Sequence, residues 1–235
     1  MKPAVLFDLG NTLAAYYRPE EFPPILERAI DAVVDELRLR GMLRVTHRSA
    51  IAAATQENRE ADDHRFMPMA ERFERIFAIS VVGDAALASS LCSRFLQPIL
   101  AMGRVYDDTL PALIELRSAG YSTAIVSNAP WGSPPRYWRK ELERLGIVPA
   151  VDAVVLCGDV GWRKPAKEIF LHAAAKLGRP CGECIFVGDD FRWDIVGSQA
   201  VGMRAVLIDR DGRHPEYSGE RVGGLNEFVT RVVNA

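Results

Sequence analysis

Apolar residues along the chain fall into two alternating rhythms. Five short apolar runs end in polar residues or glycine: Ala4–Phe7, Thr123–Val126, Ala153–Leu156, Ile185–Val187 and Ala205–Ile208. Unbroken runs of this kind suit strands that are covered on both faces, so each is expected to be a buried strand. Between them apolar residues return at helical spacing. Leu110, Leu113 and Ile114 predict a helix with Gly120 as its C-cap. Pro165 is expected as the first residue of another helix, with Ile169, Phe170, Ala173 and Leu177 as its apolar face and Gly178 closing it. Strands alternating with helices predict an α/β fold, a doubly wound parallel sheet joined by crossovers.

Residues 14–103 break that rhythm. Leu26, Ile30, Val33 and Leu37 share one helical face, as do Met69, Phe73, Ile76 and Phe77. No strand is expected in this stretch. It reads as a helical domain inserted after the first strand, so that residues 1–13 and 104–235 form the α/β core. The insert leaves from the carboxyl end of that strand, the end at which open α/β sheets bind ligands. It is therefore placed to cover a site there.

Composition narrows the class. The chain has 235 residues, 49% of them hydrophobic, and a formal charge of -2. Without a long basic run, nucleic-acid binding is not expected. No apolar run approaches membrane-spanning length, and the opening "MKPAVLFDLGN" lacks a secretory pattern, so a cytoplasmic location is expected. Cys181 and Cys184 have the spacing of half a zinc site, but no second pair completes four ligands. Cys184 opens the run "CIFVG", where a thiol serves as a small apolar group.

The chemistry collects at the carboxyl ends of the expected strands. Asp8 follows the first and Ser127 and Asn128 close the second. Lys164 comes after the third in "GDVGWRKPAKEIF", and the fourth is followed by Asp189, Asp190 and Asp194 in "VGDDFRWDIVG". Carboxylates gathered at one sheet edge repel each other and call for a cation. Mg²⁺ suits them, since it takes oxygen ligands and shares them with a substrate phosphate. Lys164 and Ser127 would then hold phosphate oxygens, leaving Asp8 free to attack phosphorus.

These four segments, in this order, resemble the four motifs of the haloacid dehalogenase superfamily, and the insert resembles its C1-type cap in subfamily I. The resemblance implies a Rossmann-like core and a hydrolase acting on a small phosphorylated substrate with Mg²⁺. Asp8 would be the nucleophile, Thr12 would shape the loop behind it, and Ser127 with Asn128 would bind the phosphoryl group. Lys164 would stabilise charge on Asp8 and on the phosphoryl oxygens. The metal would lie on Asp8, Asp189 and the carbonyl of Gly10, supported by Asp190 or Asp194. A monomer or homodimer is expected.

Gly10 departs from the pattern. Family phosphatases carry there an Asp that protonates the leaving group and activates water, help worth roughly 10²–10⁴-fold. Without it, substrates with good leaving groups such as acyl or aryl phosphates are favoured, or the chain binds a phosphorylated ligand with little turnover. A metal-independent 2-haloacid dehalogenase also lacks that acid, but the acid-rich fourth motif fits it poorly. Phosphonoacetaldehyde hydrolases need a cap lysine, and residues 14–103 contain none. His64 is a candidate proton donor, more readily explained as part of a solvated helix face. Tyr16, Tyr17 and Arg18 at the start of the insert, and Trp131 and Arg136 after the second strand, are candidates for substrate contact. Asn11 is read as a turn residue tolerant of left-handed backbone.

Overall fold

The computed structural model describes residues 2–234. Strand β1 (Ala4–Phe7) is wholly buried and leads through a tight loop to β2 (Ala14–Ala15). The insert then supplies α1 (Phe22–Leu39), α2 (His47–Glu57), α3 (Met69–Phe77) and α4 (Ala85–Leu100), and β3 (Arg104–Val105) brings the chain back. The core continues with α5 (Thr109–Ser118), β4 (Thr123–Ser127), α6 (Pro135–Arg144) and β5 (Ala153–Leu156). A single turn, α7 (Cys157–Val160), precedes α8 (Lys167–Lys176) and β6 (Cys184–Gly188). A π-helical turn over Phe191–Val196 runs into the short α9 (Gly197–Gln199). The chain closes with β7 (Arg204–Ile208), β8 (Arg221–Val222) and α10 (Leu225–Val233).

The main sheet has the order β5-β4-β1-β6-β7-β8, and all its pairings are parallel. The expected doubly wound sheet is therefore present, with β1 at its centre and β4 and β6 on either side. That order brings the carboxyl ends of β1, β4 and β6 side by side. The apolar runs became strands because both faces are covered, which leaves Val5, Ile125, Val126 and Val187 without solvent contact.

Several local expectations need correction. Ile114 is 59% exposed, because α5 packs on a stripe of Thr109, Ala112, Leu113 and Leu116 that includes small and polar residues. Gly120 does take the left-handed backbone (φ +84°) expected just past a helix end. Pro165 is not the first helical residue, since α8 begins at Lys167 with Ala166 as its N-cap. The stretch expected to lack strands begins with one. Ala14 and Ala15 pair antiparallel with Val105 and Arg104, joining the two ends of the insert.

Within the insert the expected apolar faces are buried. Leu26, Ile30, Val33 and Leu37 of α1 pack toward α4, and Met69, Phe73, Ile76 and Phe77 of α3 face inward. Thr46 caps α2 and Asp84 caps α4, each accepting a backbone N–H with its side-chain oxygen. Phe95 of the insert lies against Trp131 of the core, ring centroids 4.8 Å apart. The two parts share one continuous apolar cluster.

Residues 58–67, between α2 and α3, form a strap laid over the core. The Arg163 N–H donates to the His64 carbonyl at 2.9 Å and the Phe66 N–H to the Gly161 carbonyl at 3.0 Å. Arg65 pairs antiparallel with Trp162, and its guanidinium lies 4.6 Å from the centroid of that indole. Asn58 accepts from the Trp131 indole N–H at 3.0 Å. Gly132, at φ +66°, approaches so closely that a Cβ there would stand 1.6 Å from the Met67 carbonyl oxygen. Only glycine serves at that crossing.

Candidate active site

Because β1, β4 and β6 are neighbours, the residues that follow them meet. Asp8, just past β1, is buried, as is Ser127, the last residue of β4. Lys164 lies in the loop between α7 and α8 and is 2% exposed. Its Nζ donates to Asp8 Oδ1 at 2.5 Å and to Asp194 Oδ1 at 2.6 Å. Burial alone would depress the lysine pKa, but the carboxylates of Asp194 and Asp8 outweigh it and raise the pKa. The lysine is therefore held charged.

One ammonium does not balance the carboxylates around it. Ligand oxygens of Asp8, Asp189 and Asp194 all lie within 4.8 Å of one another. Burial, then the charges of Asp8 and Asp194, push the Asp189 carboxyl above its usual range. Burial also raises Asp194, with Lys164 opposing and Asp8 adding to the shift. Such an oxygen-only cluster, short of positive charge, has the donor chemistry of a Mg²⁺ site.

Other candidates take positions the sequence did not suggest. The Asn128 side chain lines the cavity with Ser127 and also clamps the Lys164 backbone. Its Oδ1 accepts from the Lys164 N–H at 2.8 Å and its Nδ2 donates to the Lys164 carbonyl at 3.1 Å. Asp190 lies outside the cluster, because its Oδ1 caps the π-helical turn by accepting from the Trp193 N–H at 2.8 Å. Of the two acids expected in support, only Asp194 reaches the lysine. A Cβ on Gly188 would stand 2.3 Å from Asp194 Oδ2, so this glycine makes room for that carboxylate.

The loop after β1 is tight. Asn11 takes the left-handed backbone expected of it (φ 56°), and its N–H donates to the Ala14 carbonyl at 2.7 Å. Thr12 is buried behind the loop with its hydroxyl unpartnered, and its carbonyl accepts from Arg210. Gly10 is partly open, and a Cβ added there would meet no atom within 4 Å. Neither crowding nor a positive φ forces glycine at this position.

The insert and the sheet edge enclose a cavity of about 430 Å³. Its floor contains Asp8, Ser127, Lys164 and Asp189, and aromatic rings line its walls, including Tyr16, Tyr17, Trp131 and Trp138. Tyr16 donates to Glu141 at 3.2 Å, and burial and that carboxylate push the phenol well above its usual range. Arg18 and Arg136 do not line this cavity. Arg18 pairs with Asp211 beside a smaller cavity of about 250 Å³, and Arg136 is exposed against the Tyr137 ring. His64 is not on a helix face. It sits in the strap with φ 61°, its Nδ1 buried and unpartnered, and it does not line the cavity.

Three arginines lining the cavity escaped the sequence reading: Arg59, Arg72 and Arg163. Arg72 carried a usable signal, since Met69, Arg72, Phe73 and Ile76 form one helical stripe and put a cation on the buried face. Arg163 precedes Lys164 in the chain and so shares its loop. Arg59 lies in a strap without periodicity and left no such trace.

Comparison with known proteins agrees with this architecture. The family model for "Hydrolase: haloacid dehalogenase-like hydrolase" matches residues 2–202. A ribulose-1,5-bisphosphate 5-phosphatase from Halopiger xanaduensis is 31% identical over 225 residues, 89% of this chain and 85% of the relative. A glyceraldehyde 3-phosphate phosphatase from Methanothermobacter thermautotrophicus is 34% identical over 129 residues, 55% of each chain. Among solved structures, a HAD phosphatase from Thermococcus onnurineus superposes with a TM-score of 0.68 at 27% identity, over 99% of this chain and 98% of that one. A 2-haloacid dehalogenase from Pseudomonas syringae reaches 0.71 at 19% identity, over 100% and 99%, a likeness of fold alone. With four motif segments at one sheet edge and a matching family model over most of its length, the chain belongs to the haloacid dehalogenase-like hydrolase family.

Proposed function

We propose that this hydrolase is a Mg²⁺-dependent phosphatase of small phosphorylated metabolites, working through an aspartyl-phosphate at Asp8 under a helical cap. The observation that carries it is the buried cluster of Asp8, Asp189 and Asp194 around one lysine. The phosphatase names of the relatives support the same reading. Asp8, Asp189 and the Gly10 carbonyl would hold the metal. When bound, Mg²⁺ supplies the positive charge that three carboxylates and a phosphoryl group need.

The residues divide the remaining work. An Asp8 oxygen forms a bond to phosphorus as the bond to the leaving oxygen breaks, the electron pair going to that oxygen. Lys164 neutralises charge on Asp8 and the phosphoryl oxygens, while Ser127 binds one of those oxygens. Asn128 positions the lysine by clamping its backbone. Water then attacks phosphorus, releasing phosphate and restoring Asp8. Gly10 offers no proton to the leaving group, so acyl and aryl phosphates are the favoured class.

The test is turnover of p-nitrophenyl phosphate and acetyl phosphate with Mg²⁺ and then with EDTA. Activity abolished by EDTA and absent from Asp8→Asn is expected. Activity surviving in Asp8→Asn refutes the nucleophile. A second reading, phosphate-ligand binding with little turnover, draws on the missing acid at Gly10, and Mg²⁺ binding without hydrolysis would favour it. Halide release from a 2-haloacid, indifferent to EDTA, would favour the dehalogenase reading.

A further inference from the structure

The roof of the cavity carries more positive charge than its own carboxylates balance. Arg59 is exposed to the cavity, and its guanidinium makes no ion pair or hydrogen bond among the described residues. Arg72 and Arg163 are 4% and 8% exposed, and the Nε–H of each is buried without a partner. Arg163 is paired with Glu60 at 2.5 Å. Glu57 is engaged mainly by Arg75, through two hydrogen bonds of 2.9 Å, and stands 3.9 Å from Arg72. Arg75 also stands 3.9 Å from Glu71, so four guanidinium groups share three carboxylates. The crowding registers on Arg72, whose pKa falls to about 10, first through burial and then through the charges of Arg163, Arg75 and Arg59, with Glu57 opposing.

A floor suited to a metal and a phosphoryl group, beneath a roof with a guanidinium that has no counter-charge, fits a ligand that is anionic at both ends. We propose that the substrate carries a second anionic group, a carboxylate or another phosphate, and that Arg59 is the specificity-determining residue that binds it. Buried Arg72 and Arg163 set the positive field there. The aromatic walls hold the short carbon frame between the two charged ends. This inference rests on the phosphatase reading for the placement of the first phosphate, but its test needs no turnover.

Calorimetry would compare propylphosphonate, 3-phosphonopropionate and propane-1,3-bisphosphonate, inert ligands differing in the far end, on the full chain with saturating Mg²⁺. Binding about 10-fold tighter for at least one dianionic-ended ligand is expected, since a hydrogen bond to a charged group is worth about that much. The preferred ligand separates a carboxylate from a phosphate as the second group. Arg59→Gln should bring the ratio close to one, and Arg59→Lys should restore part of it. Arg48→Gln, on the exposed face of α2, removes the same formal charge and should leave the ratio in place. Equal affinities in the parent, a ratio that survives Arg59→Gln, or an equal loss in Arg48→Gln would overturn the proposal. No binding of any phosphonate would overturn it together with the phosphatase reading, whereas dianion-selective binding without hydrolysis would refute only the latter.

Discussion

Lys164 Nζ stands 2.6 Å from Asp194 Oδ1, with both side chains all but removed from solvent. Together with Asp8 this makes a buried triad of one cation and two anions. Removing the cation leaves two buried carboxylates without a counter-charge, and breaking a buried pair in this way costs about 3–5 kcal/mol. Lys164→Met should therefore lower unfolding stability by about that amount in urea titrations run without metal. The double variant Lys164→Met/Asp194→Asn should lose less than the two single losses summed. Additive losses would mean that the residues do not depend on each other.

Gly10 is open rather than crowded, so an aspartate can be installed there without displacing a neighbour. Gly10→Asp should raise hydrolysis of alkyl phosphates by roughly 10²–10⁴-fold and that of aryl phosphates much less, since only the poor leaving group needs a proton. An equal change for both would show that proton donation does not limit the enzyme.

Gly188→Ala tests how Asp194 is held. Its Cβ would fall 2.3 Å from Asp194 Oδ2 and 2.4 Å from Cγ, so the carboxylate has to shift and the lysine with it. Displacements of about 1 Å in such a site cost about 10²-fold in rate. A phosphatase assay should show that loss in a protein whose circular dichroism is unchanged. Full activity would mean that Asp194 is not needed where it stands.

Acid stability should depend on Glu36 in α1. The carboxylate accepts from Ser90 Oγ at 2.7 Å, Arg40 Nε at 2.7 Å and Arg94 Nε at 3.1 Å. Ser90 first, then Arg40, holds its pKa down at about 2, against an ordinary value of 4.5. A depressed folded-state pKa contributes stability that is fully present above the unfolded value and lost as pH falls through the folded one. Glu36→Gln should thus be less stable than the parent at pH 6, with the gap closing between about pH 4.5 and pH 2. Thermal melts across that range check it, and a gap independent of pH would count against it.

The central strands and the residues at their ends were legible in the sequence because buried parallel strands need unbroken apolar runs, and the site residues follow those runs closely along the chain. Edge strand β8 was not legible, since Arg221 and Val222 make no run. The inward face of α5 was less legible because it includes Thr109 and Ala112, a polar and a small residue that apolar periodicity does not mark. In the site, Asp8, Ser127, Lys164 and Asp189 follow from strand order. The uses of Asn128 and Asp190 depend on rotamers and on the turn at Phe191–Val196, which no spacing announces. The arginines of the roof come from segments that meet only once the strap is folded down.

The strap over residues 58–67 also bears on how such an enzyme could change its substrate. Its backbone is stitched to Gly161 and Arg163, next to the lysine of the site, and it crosses Gly132 where no side chain fits. A helical domain grafted onto this core would need a strap able to meet Gly132, Gly161 and Arg163 in the same way. The insert is thus not an interchangeable module. Re-engineering specificity here therefore favours point substitutions within the insert, or exchange of the insert together with the 130–132 and 161–163 loops.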